Sequence, residues 1–153
     1  MQRRTLSGEE PLHSIWQRRL LDECRLAERL GQNFVLLLFR LDSAMPRLAA
    51  ETLDLIGDSL RGGVRQSDVV VRAGPALYAV LLVGSQPGFA FAVGERLVNH
   101  VRCDAGSLVR DLAERPLRFG VGLFDGRGSV QDAIAAAERD LRAGGASAVA
   151  PAA

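Results

Sequence analysis

The spacing of hydrophobic residues changes several times along the chain, and each change marks a boundary between elements. Leu12, Ile15, Trp16, Leu20, Ala27 and Leu30 recur at helical spacing over about 11–31, with Gly31 placed as a stop. FVLLLF at 34–39 is too short and too uniformly apolar for an amphipathic helix, so it reads as a strand buried on both faces. Pro46 suits the first turn of a second helix carrying Leu48, Leu53, Ile56 and Leu60 and stopping at Gly62-Gly63. VVVRA at 69–73 and LYAVLLV at 77–83 are β-rich runs with few residues between them, the pattern of an antiparallel hairpin. Gly74-Pro75 in that gap suits a type II′ turn, with Gly74 at positive φ. A third helix is expected over about 88–102, with Phe89, Val93, Leu97 and Val101 on one stripe. LRFGVGLF at 117–124 forms a further strand, and Val130 to Ala143 a last helix capped by Ser129.

Once the first helix is set aside, the order is strand, helix, strand, strand, helix, strand. This predicts an α+β fold with a ferredoxin-like β-α-β-β-α-β core, a mainly antiparallel sheet flanked by helices, plus an N-terminal helix. The expected organisation is a flexible start over 1–11, one folded domain over 12–145 and a disordered tail over 146–153. Segment 104–115 is ambiguous, with a short helix around Leu108 to Ala113 as one reading.

Composition narrows the function classes. A chain of 153 residues, 48% hydrophobic and 24% charged, has the make-up of one globular domain. Its 19 basic residues are all arginine and the net charge is +1, so no strong basic field points to nucleic acid. The absence of lysine excludes a P-loop and Schiff-base chemistry. Cys24, Cys103, His13 and His100 include no pair at metal-ligand spacing, so no metal is expected. Both thiols read as small buried hydrophobes in a reducing cytosol. The start MQRRTLSGEE runs into acidic residues rather than an apolar region, and no apolar run approaches the roughly 20 residues that span a bilayer, so a cytoplasmic protein without membrane insertion is expected. Gly120-x-Gly122 lacks dinucleotide-fingerprint spacing and sits in a strand, where it reads as close packing.

The stretch RQSDVVVRAGPALY carries the most specific pattern. Arg65-Gln66-Ser67-Asp68 is followed by a five-residue spacer and then by Gly74, Pro75, Ala76, Leu77 and Tyr78 at the hairpin. With the buried strand and helix before it, this frame over about 12–145 resembles the GGDEF domain of bacterial diguanylate cyclases. In that family the hairpin reads Gly-Gly-Asp/Glu-Glu-Phe, and metal-held GTP is converted to cyclic di-GMP by phosphoryl transfer. The resemblance places one metal-binding carboxylate where this chain has Ala76, with Leu77 at the next acidic position. It places the other where Arg40 precedes Leu41-Asp42. The Asn and Asp that read guanine have no counterpart between Asp42 and Glu51, the Asp position falling on Ala50. The chain is therefore expected not to be an enzyme and to hold no metal.

The R-x-x-D itself resembles the family's inhibitory product site. That resemblance makes Arg65, Asp68 and Arg96, the last in GERL, candidate ligands for cyclic di-GMP, with Arg72 as an added candidate. Guanidinium forks suit phosphate and the guanine O6/N7 edge, and a carboxylate suits guanine N1–H and N2–H. A micromolar ligand needs about 8 kcal/mol, whereas one bidentate base contact supplies roughly 1–3, so a stacked ligand dimer or a second protein surface would share the binding. The competing structural reading has Asp68 starting a strand, Arg65 closing the helix end at Gly62-Gly63 and Arg96 solvated. Two functions follow: a noncatalytic cyclic di-GMP receptor, or a ligand-independent interaction or scaffolding domain acting through a protein partner or self-association. Because only about eleven residues precede the first helix, no input domain is expected on this chain.

Overall fold

The computed structural model describes residues 9–41, 50–105 and 117–145. Its elements are α1 (Glu9–Arg29), β1 (Phe34–Leu41), α2 (Ala50–Gly62), β2 (Val69–Gly74), β3 (Leu77–Val83), a 3-10 turn (Pro87–Phe89), α3 (Ala90–Ala105), β4 (Leu117–Phe124) and α4 (Val130–Arg142). The four strands form one sheet in the order β2-β3-β1-β4, antiparallel at every pairing. This is the predicted α+β core. Pro46, Leu48 and Asp42, the short helix expected near 108–113, and the tail at 146–153 lie outside the described residues.

The sheet is the middle of three layers. Odd-numbered residues of β1 (Val35, Leu37, Phe39, Leu41) pack with Leu53, Ile56 and Leu60 of α2 and Leu97, Val98 and Val101 of α3. Even-numbered residues (Phe34, Leu36, Leu38) pack with Leu20, Cys24 and Ala27 of α1 and Ala133, Ala137 and Leu141 of α4. Because successive strand side chains alternate between faces, covering both faces removes every β1 position but Arg40 from water. Residues 34–39 are accordingly all buried, which explains the unbroken apolar run.

Local chemistry sets the element ends. At the end of α1, Gly31 takes a φ of 71°, its N–H donates to the Glu28 carbonyl, and Gln32 N–H donates to the Ala27 carbonyl. This is a Schellman closure on the predicted stop. Ser129 caps α4 by accepting from Asp132 N–H at 3.0 Å. Gly120 and Gly122 let α4 lie on β4: a Cβ at either would collide with the Ala137 or Ala133 carbonyl oxygen. On the outer edge of β4, Val121 N–H is taken up by the Asp140 carboxylate at 2.9 Å, which blunts an otherwise open strand.

Three expectations are corrected. Gly74 does not take positive φ, and neither does Ala76, so the Pro75-Ala76 loop has neither the type II′ nor the type II geometry. Proline fixes φ at the first loop position, and the strands accommodate the turn through a register irregularity between Arg72 and Gly74. Phe89 precedes α3 in the 3-10 turn and is 61% exposed, so it leaves the stripe on which Leu97 and Val101 are buried. Cys24 is buried as expected, but Cys103 is exposed because it falls on the outer side of α3.

Candidate functional site

The Arg65–Asp68 segment leaves α2 at Gly62-Gly63 and enters β2. The Asp68 carboxylate accepts four hydrogen bonds: from Arg65 N–H (3.0 Å), Arg65 Nε (3.1 Å), Arg65 Nη2 (3.0 Å) and Val83 N–H (3.2 Å). Each carboxylate oxygen takes two. The side chain is 2% exposed, whereas that of Arg65 is 58% exposed. Arg65 Nη2 also donates to the Val83 carbonyl and to Ser85 Oγ, both at 3.0 Å. Its pairing with Asp68 pushes the guanidinium pKa further above its already high ordinary value.

These contacts give the R-x-x-D a geometry that neither sequence reading contained. Asp68 ties the entry of β2 to the exit of β3 and holds Arg65 in a bidentate fork. With all its acceptor positions engaged and almost no exposure, it has no free edge for guanine in this arrangement. Arg65 does not close the helix end; that contact belongs to Arg96, whose Nη1 donates to the Gly63 carbonyl at 2.8 Å. Arg96 therefore reaches across from α3 to the corner two residues ahead of Arg65. Gly63 is needed there, since a Cβ would stand 2.8 Å from Leu97 Cδ2 and 3.0 Å from His100 Cδ2. Arg65 Nη1 has no hydrogen-bond partner among the described residues.

Arg72 stands apart from this corner. Its Nε and Nη2 donate to the Gly74 and Pro75 carbonyls at 3.0 and 2.7 Å, and its guanidinium lies over the Trp16 and Tyr78 rings. It closes the hairpin at the far end of β2, about 20 Å of strand from Asp68. The candidate set thus divides: Arg65 and Asp68 clasp each other, Arg96 bonds the backbone two residues ahead of Arg65, and Arg72 holds the turn.

At the hairpin end of the sheet, Leu41 N–H donates to the Ala76 carbonyl at 3.2 Å, so the end of β1 and the hairpin loop adjoin. Arg40, Ala76 and Leu77 line one groove of about 330 Å³ there. Arg40 is paired with Leu77 on β3 and with Arg118 on β4. Among the described residues no group of three or more His, Cys, Asp or Glu side chains could hold a metal ion, and no helix is long and apolar enough to cross a membrane. Tyr78, the aromatic of the hairpin frame, sends its hydroxyl to the Leu53 carbonyl on α2, and burial raises its pKa to about 12. Sequence reasoning missed this contact because its partner is a helix carbonyl 25 residues away. Gly57 adjoins the Tyr78 ring, a Cβ there standing 3.4 Å from it, an ordinary contact that leaves no mark in the sequence.

No protein-family model matches the chain, and no curated protein matches it. Solved structures do. The GGDEF domain of DgcB from Caulobacter crescentus, in complex with c-di-GMP, aligns at a TM-score of 0.64 and 14% identity, over 86% of this chain and 82% of that one. The FimX GGDEF domain from Pseudomonas aeruginosa aligns at 0.63 and 21%, over 85% and 90%. The diguanylate cyclase SiaD in complex with its activator SiaC, also from Pseudomonas aeruginosa, aligns at 0.62 and 21%, over 84% of this chain and 55% of that one. The chain has the fold of GGDEF domains.

Proposed function

We propose that this domain is a noncatalytic receptor for cyclic di-GMP, with Arg65 and Arg96 as ligand-contacting groups and Asp68 as the residue that positions Arg65. The observation that carries this reading is the corner itself: an exposed guanidinium pre-oriented by a buried carboxylate, with a second guanidinium anchored at Gly63. Pre-orientation removes rotamer entropy that a free arginine would lose on binding an anion. The cyclic di-GMP in the DgcB complex supports the choice of ligand, since the two domains share a fold. Arg40, Ala76 and Leu77 offer no carboxylate where the hairpin meets β1, which supports a binding rather than a catalytic role. Two arginines provide too little energy for a single small ligand, so a stacked cyclic di-GMP dimer is the species expected to bind.

The test is calorimetric titration of cyclic di-GMP into the wild type and Arg96→Ala. Saturable heat at tens of micromolar, weakened about tenfold by loss of one charged hydrogen-bonding group, is expected. Absence of heat with the wild type sinks the proposal. Arg96 is the cleaner probe, because replacing Arg65 also strips a buried carboxylate of its partner.

A second reading, a ligand-independent interaction domain, is favoured by the four protein donors that engage Asp68 and by exposed Phe89 and Phe91. It predicts an assembly state, measured by light scattering, that cyclic di-GMP leaves unchanged.

A further inference from the structure

On the face of the sheet covered by α1 and α4, the two helices do not close over the strands. An apolar slot of about 240 Å³ remains between them, lined by Leu20 and Leu21 of α1, Leu38 and Leu77 of the sheet, and Ile134 and Ala135 of α4. It runs into the groove at the hairpin, with which it shares Leu38, Leu77 and Glu138. At that outer end stand Arg40 and Arg142. The trough is thus apolar for most of its length and charged at one mouth. It lies at the opposite end of the strands from Arg65.

We infer that this trough binds a free single-chain amphiphile, with its acyl tail between α1 and α4 and its anionic head, a carboxylate or phosphate, at Arg142 and Arg40. The slot holds about eight water-sized units, the scale of a short to medium acyl chain. An apolar tail is favoured there because the walls are mostly aliphatic, with Gln17, Gln131 and Glu138 as their polar members. The sign of the head follows from Arg142, with Arg40 beside it; among the described residues lining the mouth the acidic side chain is Glu138. Arg142 makes no hydrogen bond or ion pair with any described residue, so a head group meets it without displacing a partner. The carbonyl end of α4 would repel an anion, but the Arg139, Asp140 and Leu141 carbonyls already accept from the Ala143, Gly145 and Gly144 N–H groups. Glu138 sits between the two sections, which keeps the charged head at the mouth and out of the slot.

The test uses the whole chain, with decanoate and its uncharged counterpart decanol as calorimetric probes. Decanoate is expected to bind saturably below its micellar concentration, and decanol at least about tenfold more weakly, the value of one charge-assisted contact. R142A should weaken decanoate by a similar factor and leave decanol unchanged, while E138Q should tighten decanoate. A135W, which fills the slot, should abolish both. No saturable decanoate binding to folded wild type, equal binding of the two probes with no effect of R142A, or undiminished binding by folded A135W would each overturn the proposal. So would association with anionic vesicles in the absence of decanoate binding. Arg142 is exposed and pairs with no described residue, so its variant folds whether or not A135W does. None of these outcomes depends on cyclic di-GMP.

Discussion

Arg65 and Asp68 form a clasp of unequal exposure: Arg65 Nη2 lies 3.0 Å from Asp68 Oδ1, with the acid side chain 2% exposed and the arginine side chain 58% exposed. The buried partner depends on the exposed one. Replacing Arg65 with Ala removes both guanidinium donors from a buried carboxylate and keeps only its two backbone donors. Arg65→Ala should therefore lower the unfolding free energy by about 1–3 kcal/mol, measured by urea denaturation. Arg61→Ala, which removes an exposed i,i+3 pair with Asp58, should change it by less than about 0.5 kcal/mol. Equal effects of the two substitutions would show that the clasp contributes no more than a surface pair.

Gly122 touches α4 where no side chain fits. The added Cβ of Gly122→Ala meets the Ala133 carbonyl oxygen, a backbone atom that can move only with its helix. We expect a loss of about 3 kcal/mol or failure to fold, read as a fall in the melting temperature or loss of soluble protein. Gly88→Ala is the matched control, because nothing lies within 4 Å of its Cβ position and its φ is not positive. It should be neutral or slightly stabilising. A tolerated Gly122→Ala would mean that α4 stands off β4.

Burial governs the response to alkali. It raises the Cys24 thiol to about 12, with Glu23 adding to the shift, and raises the Tyr78 phenol to about 12 mainly by desolvation. Both groups are neutral when protonated, and both folded values lie above the ordinary 9.0 and 10.0. Their contribution to stability is therefore complete below about pH 9 and is lost as pH rises towards 12. Denaturation midpoints measured from pH 8 to 12 should fall across this window. Tyr78→Phe should reduce the slope above pH 10 and, by removing the hydroxyl bond to Leu53, cost about 1 kcal/mol at neutral pH.

The two thiols should differ in rate with a disulfide reagent. Cys103 is exposed and should react at once, whereas Cys24 is buried with a raised pKa and should wait for unfolding. One thiol titrating in native buffer and two in denaturant is the expected count. Two fast thiols would place α1 away from the sheet.

How much of this was legible in advance depended on the range of the interaction involved. The Gly31 stop, the Ser129 cap, β1 and the spans of β3 and β4 were readable because each rests on side-chain periodicity or on a hydrogen bond a few residues long. The order of those elements was enough to predict the antiparallel α+β core, since short links leave few ways of pairing four strands. The R-x-x-D was legible as a motif but not as a contact map. Asp68 belongs to a clasp closed by Val83 and Ser85, residues 15 and 17 positions further on, which the antiparallel pairing of β2 with β3 alone brings near. Arg72 was an added candidate beside Arg65, yet the strand between them carries the two to opposite ends of the sheet. Local sequence set the elements because turns and caps act over a few bonds. The tertiary structure decided which arginine is anchored, which thiol is covered and where a trough stays open, because burial is set by whatever packs against a residue from elsewhere in the chain.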